Sequence, residues 1–487
     1  MAFYDRQIQH LLRRAGFGAT PAEVEYYAGI GFHRAIDELI EFHRVPDDVD
    51  SKIGTPGYVG VTTRGQFSPS TVINDARQRW IFRMVHSRRP LQEKMTLFWH
   101  NHFATAYSKI AGIFGGIEGT QMLAQNASAH PARSRGQMEL LRDYALGNFR
   151  DLLVEIAKDP AMLVWLDGRT NTRQRPQENF AREIMELFTM GVGFYTEADV
   201  YAGARVFTGW NMRRVGERQD PVGYYEFVYN AGQHETMAKE FSFPIYANGS
   251  RTIPARAAGQ GMQDGLDLID ALARHPETGR RLARKLYAFF INELDEPDER
   301  LISQLAAVYR QNDFEMAPVM RVLLLSPQFN DPENYFARYS WPAEFVARAL
   351  KEVGYAGFSV DSAITPLLNM GQQLFEPPDV NGWDLGRGWF STAGMLARMN
   401  FAATLALNQR FNIGREATPY GQTPESLLSF YLDKLSPADF ERPAYEDLLD
   451  YLRMGTGSVW TGSTAQLNVK ASGLLHLIAG SSEYQLV

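Results

Sequence analysis

Apolar residues recur every three or four positions along most of the chain, which is the spacing of one face of an α-helix. This periodicity predicts twelve amphipathic helices, at about 30–43, 72–87, 91–102, 137–146, 149–158, 265–274, 278–291, 299–311, 315–325, 341–353, 361–373 and 394–410. The sequence therefore predicts an all-α fold with a large multi-helix body.

Four short motifs predict the starts of further helices. In the segment Thr-Pro-Ala-Glu at 20–23, a threonine N-cap is followed by proline at the first helical position and by glutamate at the third. Similar motifs begin at Thr196, Thr423 and Ser436. We therefore expect a helix to begin at each of these four positions.

One region interrupts the helical pattern. Residues 216–258 are rich in Gly, Tyr, Phe and Pro, and the alternating run at 224–229 is typical of a strand. We expect a small irregular or β excursion here. It separates an N-terminal helical part, 1–215, from a C-terminal helical part, 259–487, and all three parts are expected to form one continuous domain.

The composition limits the chemistry that the chain can perform. Its 487 residues include no cysteine, which excludes disulfides, thiolate metal sites and a cysteine nucleophile. A bound metal would need ligands from His, Asp, Glu or backbone oxygen. Only nine of the 49 Lys and Arg residues are lysine. Since arginine suits bidentate pairing with buried carboxylates, we expect structural Arg–carboxylate pairs to be common.

The charge and the apolar runs limit the partners and the compartment. The formal net charge is −7, so nucleic acid is not an expected partner. The basic run at 280–285 has helical spacing and is interpreted as a solvated face. No apolar run approaches the roughly 20 residues that span a bilayer. Because no signal peptide is recognisable, the sequence as it stands predicts a cytoplasmic protein, or a periplasmic or extracellular one if a signal was removed.

The segment 177–191 is predicted to be a helix with one polar side. At 100° per residue, that side carries Asn179, Arg182, Glu183 and Glu186. Two carboxylates at this spacing can act as metal ligands or as an acid–base pair. The alternative is a solvated helix with ion pairs from Arg182 to Glu178 and Glu186. The spacing alone favours the alternative.

Two histidines, His100 and His102, lie in the segment 94–103. A His-x-His pair on extended backbone binds one metal ion readily, but on a helix the two rings point about 160° apart. The apolar stripe indicates that the helix continues to His102. This places His102 on the buried face and His100 on the other side. Each is a candidate metal ligand, and the alternative is a core histidine bonded to backbone.

Two irregular segments carry the remaining candidates. His234 lies in the 216–258 region, where a loop can bring a metal ligand or a general base over the helices. The turn-rich segment 376–389 carries Asn381, Trp383 and Trp389. Exposed tryptophan pairs bind sugars, rings or cations, whereas buried pairs cap a core, and the sequence slightly favours the buried interpretation.

Six short segments, in order over nearly the whole chain, carry distinctive residue combinations: HLLRRAGFG at 10–18, FWHNHF at 98–103, ENFARE at 178–183, TGW at 208–210, PPDVNGW at 377–383 and SEYQ at 482–485. Together they resemble the signatures of the large bacterial domain-of-unknown-function family numbered eighteen hundred. The resemblance is specific because the segments occur in the same order.

The resemblance implies a mainly helical bacterial protein without implying an activity. Such proteins are often exported through a twin-arginine signal and encoded beside a partner that resembles the alkaline-phosphatase and sulfatase group. This sequence lacks an export signal and has His234-Glu235 where members commonly have His-Asp. The polar residues in the signatures, among them His100, His102 and Glu183, are candidates for one buried polar centre.

Three functions are compatible with these observations. The first is a metal-dependent hydrolase or oxidoreductase. Its predicted zinc, manganese or iron ligands are His100, His102, Glu183, Glu186 and His234, and its predicted catalytic groups are Glu183, Glu186, Arg182 and His234. The second is a non-catalytic scaffold that acts with a partner protein. The third is a carbohydrate-binding protein that uses the tryptophan-bearing loop. The sequence slightly favours the first.

Overall fold

The computed structural model describes residues 5–126, 135–354, 358–407, 412–454 and 459–487. This part of the chain contains the helices α1 (Arg6–Arg14), α2 (Pro21–Ile30), α3 (Phe32–Ile40), α4 (Ile73–His86), α5 (Pro90–His102), α6 (Tyr107–Phe114), α7 (Gly116–Ala124), α8 (Gln137–Asp143), α9 (Phe149–Lys158), α10 (Pro160–Trp165), α11 (Asn179–Glu186), α12 (Glu197–Val206), α13 (Met262–Arg274), α14 (Pro276–Phe290), α15 (Glu299–Gln311), α16 (Met316–Leu325), α17 (Pro327–Asn330), α18 (Pro342–Val353), α19 (Asp361–Asn369), α20 (Thr392–Ala406), α21 (Ile413–Ala417), α22 (Pro424–Leu435), α23 (Arg442–Arg453) and α24 (Thr464–Ala479).

The mostly helical fold with a small β excursion is confirmed. Each of the twelve helices predicted from periodicity is present, with ends that differ by a few residues. The last of them, predicted to reach residue 410, is described only up to residue 407. None of the helices in the described ranges is long and apolar enough to cross a membrane.

Three of the four predicted helix starts are confirmed, and the fourth is wrong. Thr20, Thr196 and Thr423 each form a capping box at the start of a helix. Ser436 instead ends α22 with φ of 40°, and the next helix begins at Arg442. The Ser436 carbonyl accepts a hydrogen bond from buried Arg348 at 2.7 Å. A tertiary contact therefore fixes the local backbone that the motif alone would place in a helix start.

The β excursion begins earlier than predicted. Strand β1 (Trp210–Val215) pairs antiparallel with β2 (Tyr224–Tyr229), and the two-residue strands β3 (Lys239–Glu240) and β4 (Thr252–Ile253) form a second pair. The predicted strand at 224–229 is confirmed. Its partner precedes residue 216 because Trp210 is buried, where its ring packs against Phe207 and Phe227.

Helix α5 lies inside the molecule and is enclosed on every side. Twelve of its 13 residues are buried, and Asn101 alone is partly exposed. Its Trp99 donates a hydrogen bond to the Ala145 carbonyl at 3.0 Å, and Phe98 packs against Phe289 of α14. A helix in this position must find a partner for each polar side chain, because an unpaired buried polar group is costly.

Glu93 of α5 is the centre of a buried ion-pair network. Its carboxylate accepts hydrogen bonds from Arg83 of α4 at 2.7 Å and from Arg142 of α8 at 2.9 Å. The same two arginines also bind Asp50 and Glu139. Burial alone would raise the pKa of Glu93, but Arg142 and Arg83 hold it below its usual value. The expected Arg–carboxylate pairs therefore connect three helices.

Lys94, the next residue of α5, connects the helix to α18. Its ammonium group binds Glu344 and donates to the Gly16 carbonyl at 2.9 Å. Arg338 binds both oxygens of Glu344 at 2.8 Å. Burial would raise the pKa of Glu344, but Arg338 and Lys94 lower it to about 2. Adjacent residues of α5 thus hold opposite sides of the molecule together.

Replacing Glu93 should test how much the fold depends on this network. We expect Glu93→Gln to lower the free energy of unfolding by about 3–5 kcal/mol, because it removes the fully buried counter-charge that Arg83 and Arg142 share. Chemical denaturation of both proteins measures the difference. In the control, Glu425→Gln breaks an exposed pair with Arg453 and should have no measurable effect. Equal stability of Glu93→Gln and the unchanged protein would contradict the expectation.

Candidate active site

A cavity opens beside the carboxyl end of α5. Its walls come from α5, α14, the start of α18 and the loop at 381–385. Its volume is about 190 Å³, and it is lined by Phe98, Asn101, His102, Lys285, Phe289, Trp341, Asn381, Trp383, Asp384 and Leu385. We refer to it as the Lys285 cavity. It brings together the predicted segments 94–103 and 376–389.

Asn101 holds the tryptophan-bearing loop against α5. Its side-chain oxygen accepts a hydrogen bond from the Trp383 amide at 2.6 Å, and its side-chain nitrogen donates to the Trp383 carbonyl at 3.3 Å. Gly382 has φ of 85°, and a Cβ atom there would lie 2.5 Å from the Asn101 carbonyl oxygen. Glycine is therefore required at this close approach, and the loop docks in one position.

His102 is held in one orientation at the bottom of the cavity. Its Nε2 donates to the Phe188 carbonyl at 3.1 Å, and its Nδ1 accepts a hydrogen bond from Lys285 Nζ at 3.0 Å. Burial, with smaller effects from Lys285 and Arg281, lowers the pKa of His102 well below its usual value. The ring is therefore neutral near pH 7, with its Nδ1 lone pair facing Lys285.

Lys285 differs from most lysines of the chain in its lack of an acidic partner. Seven of the nine lysines lie within 4.0 Å of a carboxylate. Within the described residues, the two exceptions are Lys285 and Lys470. Burial, and then the charge of Arg281, lowers the pKa of Lys285 to about 7. A large fraction of Lys285 is therefore an uncharged amine at neutral pH.

The remaining walls of the cavity are apolar at depth and polar at the rim. Phe98, Phe289 and Trp341 are buried aromatic residues, whereas Asn381 and Asp384 are exposed. The apolar walls reduce the local dielectric around Lys285, which disfavours its charged form. A small molecule in the cavity would contact aromatic rings and the amine, with polar groups at the entrance.

His100 has a structural role on a different side of α5. Its Nε2 accepts a hydrogen bond from the Phe375 amide at 3.3 Å, and its ring packs against Trp80 and Trp383. Burial lowers its pKa to about 3. The prediction that His100 lies away from the buried face is wrong, because α5 is enclosed all round. The two histidines bind different partners, as the helical spacing requires.

Glu183 and Glu186 share one side of α11, as predicted. Glu186 accepts a hydrogen bond from the Tyr195 hydroxyl. Glu183 is half-buried, and none of the described residues gives its carboxylate a hydrogen bond or an ion pair. Burial and the neighbouring Glu186 raise the pKa of Glu183. The end of this segment reaches the Lys285 cavity through Phe188, whose carbonyl accepts a hydrogen bond from His102.

The polar neighbours on α11 bind residues of other segments. Arg182 pairs with Glu197 at 2.7 Å and with Glu178 at 3.5 Å. The predicted pair between Arg182 and Glu186 is wrong, because the start of α12 brings Glu197 closer to the guanidinium group. Asn179 donates to Asp167 at 2.9 Å. These side chains therefore stabilise the surface of α11 and do not face the cavity.

His234 belongs to a separate buried network. Its ring nitrogens lie 2.9 Å from the Thr208 carbonyl and 3.2 Å from Asp264 Oδ2. Lys239 and Arg256 each bind Asp264 at 2.6 Å. This network connects the β excursion to α13. Within the described residues, no hydrogen bond or ion pair joins His234 to the Lys285 cavity or to α11.

The five predicted metal ligands are distributed over three places: the end of α5, α11 and the network around α13. In the part of the chain that the structure describes, no group of three or more His, Asp or Glu side chains could hold a metal ion. The zinc, manganese or iron site therefore stays a prediction. Glu183 and Glu186 are the predicted ligands that remain close together.

The predicted cofactor-binding residues divide into two groups. Trp383 and Trp389 are each 5% exposed, so the interpretation as an exposed tryptophan pair is wrong. Asn381 and Trp383 nevertheless line the Lys285 cavity, whereas Trp389 packs against Trp341 with 5.8 Å between ring centroids. The loop therefore contributes one wall of the cavity and a cap on the core behind it.

Sequence reasoning missed Lys285. The interpretation of 280–285 as a solvated face holds for Arg280 and Arg284, which pair with exposed Glu299. It is wrong for Lys285, which turns toward the cavity. A signal is present in the sequence, since apolar residues lie three positions before Lys285 and four positions after it on the same face of α14.

Comparison with known protein families identifies the group to which the chain is related. A family model described as "Protein of unknown function (DUF1800)" matches residues 10–486. The chain belongs to this family. The match confirms the resemblance inferred from the six short segments, and it includes every residue that lines the Lys285 cavity. No curated protein and no solved structure matches the chain.

The unpaired amine should make stability depend on pH. The folded protein releases the Lys285 proton near pH 7, whereas the unfolded chain holds it up to about pH 10.4. The Lys285 amine therefore lowers the free energy of unfolding at and below pH 7, and this destabilisation disappears as the pH rises toward 10. The unchanged protein should therefore gain stability between pH 6 and pH 10, whereas Lys285→Met should not. We expect the free energy of unfolding of Lys285→Met, minus that of the unchanged protein, to fall by about 2–4 kcal/mol over this range. Urea denaturation across this range measures it, and a constant difference would contradict the expectation.

Proposed function

We propose that the chain is an enzyme that binds a small molecule in the Lys285 cavity and transfers a proton with Lys285, assisted by His102. The observation that carries the proposal is an amine in an open cavity of about 190 Å³, with no acidic partner among the residues that the structure describes. Such an amine destabilises a fold, so its presence at a cavity supports a functional role more than a structural one.

The hydrogen bond between Lys285 and His102 supports proton transfer. A backbone carbonyl fixes His102 Nε2 as a donor, so Nδ1 can only accept from Lys285 or from a bound molecule. In this pair, the neutral Lys285 amine can take a proton and His102 Nδ1 can pass a proton on. The pKa of Lys285, lowered to about 7 by burial and Arg281, matches the operating pH that general base catalysis requires.

Exchange of carbon-bound hydrogen in D₂O tests the proposal. Pools of small carbonyl compounds and carboxylic acids are incubated with the full chain, and loss of C–H signals is followed by NMR. We expect at least one compound to exchange, with a rate that rises with pH and levels off above about pH 7, because the neutral amine is the base. Lys285→Met should slow this exchange by about 100-fold.

Lys470→Met is the matched control for this experiment. Lys470 also has no acidic partner in the described part of the chain, but its amine donates to the backbone carbonyls of Tyr451 and Met454, away from the cavity. Exchange should be unchanged in this variant. The proposal is overturned if Lys285→Met exchanges as fast as the unchanged protein, or if no compound in any pool exchanges.

A second candidate function is the metal-dependent hydrolase or oxidoreductase, with Glu183 and Glu186 as the first ligands. The observation that favours it is the half-buried Glu183 carboxylate, which has no partner among the described residues. Its pKa is raised by burial and by Glu186, and a cation between the two carboxylates would remove this repulsion. Carboxylate ligands suit manganese better than zinc.

Metal analysis tests this second candidate directly. Protein purified without chelator should contain about one equivalent of zinc, manganese or iron, and Glu183→Gln should reduce the bound metal at least tenfold while the helical signal in circular dichroism stays the same. Metal-free protein after incubation with each of the three ions would contradict it. Partner binding and carbohydrate binding stay predictions, and we propose no site for either.

A further inference from the structure

We propose that Lys285 forms a covalent imine with a small aldehyde or ketone bound in the Lys285 cavity. This inference rests on the proposed function, since it names the substrate class of the same site. It follows from the position of the amine, which faces an open cavity and has no carboxylate of the described residues within 4.0 Å. A lysine that is desolvated or placed beside another cation is an activated nucleophile.

The contacts of the amine leave it free to react. Among the described residues, Lys285 Nζ makes one hydrogen bond, to His102 Nδ1 at 3.0 Å. A neutral imidazole accepts one hydrogen but does not neutralise an ammonium group. The nitrogen lone pair of the neutral amine can therefore point into the cavity while one N–H bond remains directed at His102.

The proposed step balances with the groups of the cavity and one proton exchanged with solvent. The neutral Nζ attacks the carbonyl carbon, a C–N bond forms, and the carbonyl π electrons move to the oxygen, which takes a proton from solvent. The nitrogen gives one proton to His102 Nδ1. His102 then returns this proton to the hydroxyl of the carbinolamine, the C–O bond breaks, and water leaves as the C=N bond forms. The protonated imine releases its remaining N–H proton to solvent, which replaces the proton taken up by the oxygen.

Charged groups on two sides of the amine define the electrostatics of the cavity. Arg281 lies one helical turn before Lys285 on α14. It interacts electrostatically with Glu186 of α11, although none of the described carboxylates lies within 4.0 Å of its guanidinium group. Asp384 lies at the exposed rim, where solvent weakens its effect. Burial and the charge of Arg281 disfavour the ammonium form of Lys285, and a ligand that carries a carboxylate would reduce the repulsion between the two cations.

The size and walls of the cavity limit the ligand. A volume of about 190 Å³ accommodates a compound of a few heavy atoms. The buried rings of Phe98, Phe289 and Trp341 exclude water from the inner walls, and this exclusion slows hydrolysis of an imine. The substrate class is therefore a small carbonyl compound, with 2-oxo acids as the charged members that suit the field of Arg281.

Reductive trapping tests the inference with the full chain. Glyoxylate, pyruvate, glycolaldehyde and acetone are each added with cyanoborohydride at pH 7.5, so that hydride from the reagent converts any imine into a stable secondary amine. Peptide mass mapping then identifies each modified lysine and measures how the modified fraction increases with time. We expect Lys285 to be modified at least about tenfold faster than Lys470 by at least one of the four compounds, because the Lys285 amine faces the cavity whereas the Lys470 amine donates to two backbone carbonyls.

Variants separate a specific reaction from general modification of lysine. Lys285→Met should lose the fast modification, whereas Lys470→Met should keep it, and circular dichroism checks that both variants fold. Lys285→Gln is the second variant if Lys285→Met does not fold. The ratio of the modification rates at Lys285 and Lys470 in the unchanged protein also shows whether the reaction is specific to Lys285, and it requires no variant.

The outcomes distinguish this inference from the proposed function. Equal rates at Lys285 and Lys470 for all four compounds overturn the imine. If exchange in D₂O still depends on Lys285 in that case, the residue acts as a base without a covalent step, and the proposed function stands. If both experiments show no dependence on Lys285, both proposals are wrong. Faster trapping of glyoxylate and pyruvate than of the two neutral compounds supports the inference and its charge preference.

Discussion

Enclosure of helix α5 on every side is the constraint on which the rest of the structure depends. A buried helix must satisfy each polar side chain, because water cannot reach it. Glu93 meets this requirement with arginines of α4 and α8, and Lys94 meets it with Glu344 of α18. These contacts fix the axial position and the rotation of α5. They therefore also fix the direction of every side chain at its carboxyl end.

The cavity exists because three consecutive residues at that end bind three different parts of the chain. His100 accepts from the backbone at Phe375, Asn101 clamps Trp383, and His102 binds the segment after α11. None of these contacts requires a metal. The loop is thereby held beside α14, and the space that remains between them contains Lys285. The polar residues of the FWHNHF signature thus have positional roles that spacing alone does not reveal.

Lys285 shows how stability and function are balanced in this fold. Most lysines of the chain lie close to a carboxylate, and an unpaired buried amine reduces the free energy of unfolding. The extensive ion-pair networks around Glu93 and Glu344 show that the chain can pair buried charges when structure requires it. An amine beside a neutral histidine, in a cavity with aromatic walls and with no described acidic partner, therefore supports the proposed reaction with a ligand.

The sequence by itself determined twelve helices through their periodicity, the strand at 224–229, three capping boxes and the membership of the family. These features depend on residues a few positions apart, so local periodicity and short motifs carry them. Only the tertiary structure decided that His100 is buried, that Arg182 pairs with Glu197, and that Lys285 faces a cavity. Lys285 and His102 are 183 positions apart, and no local pattern encodes such a contact. The chemistry of the site was therefore decided by packing, because packing sets which charges find partners.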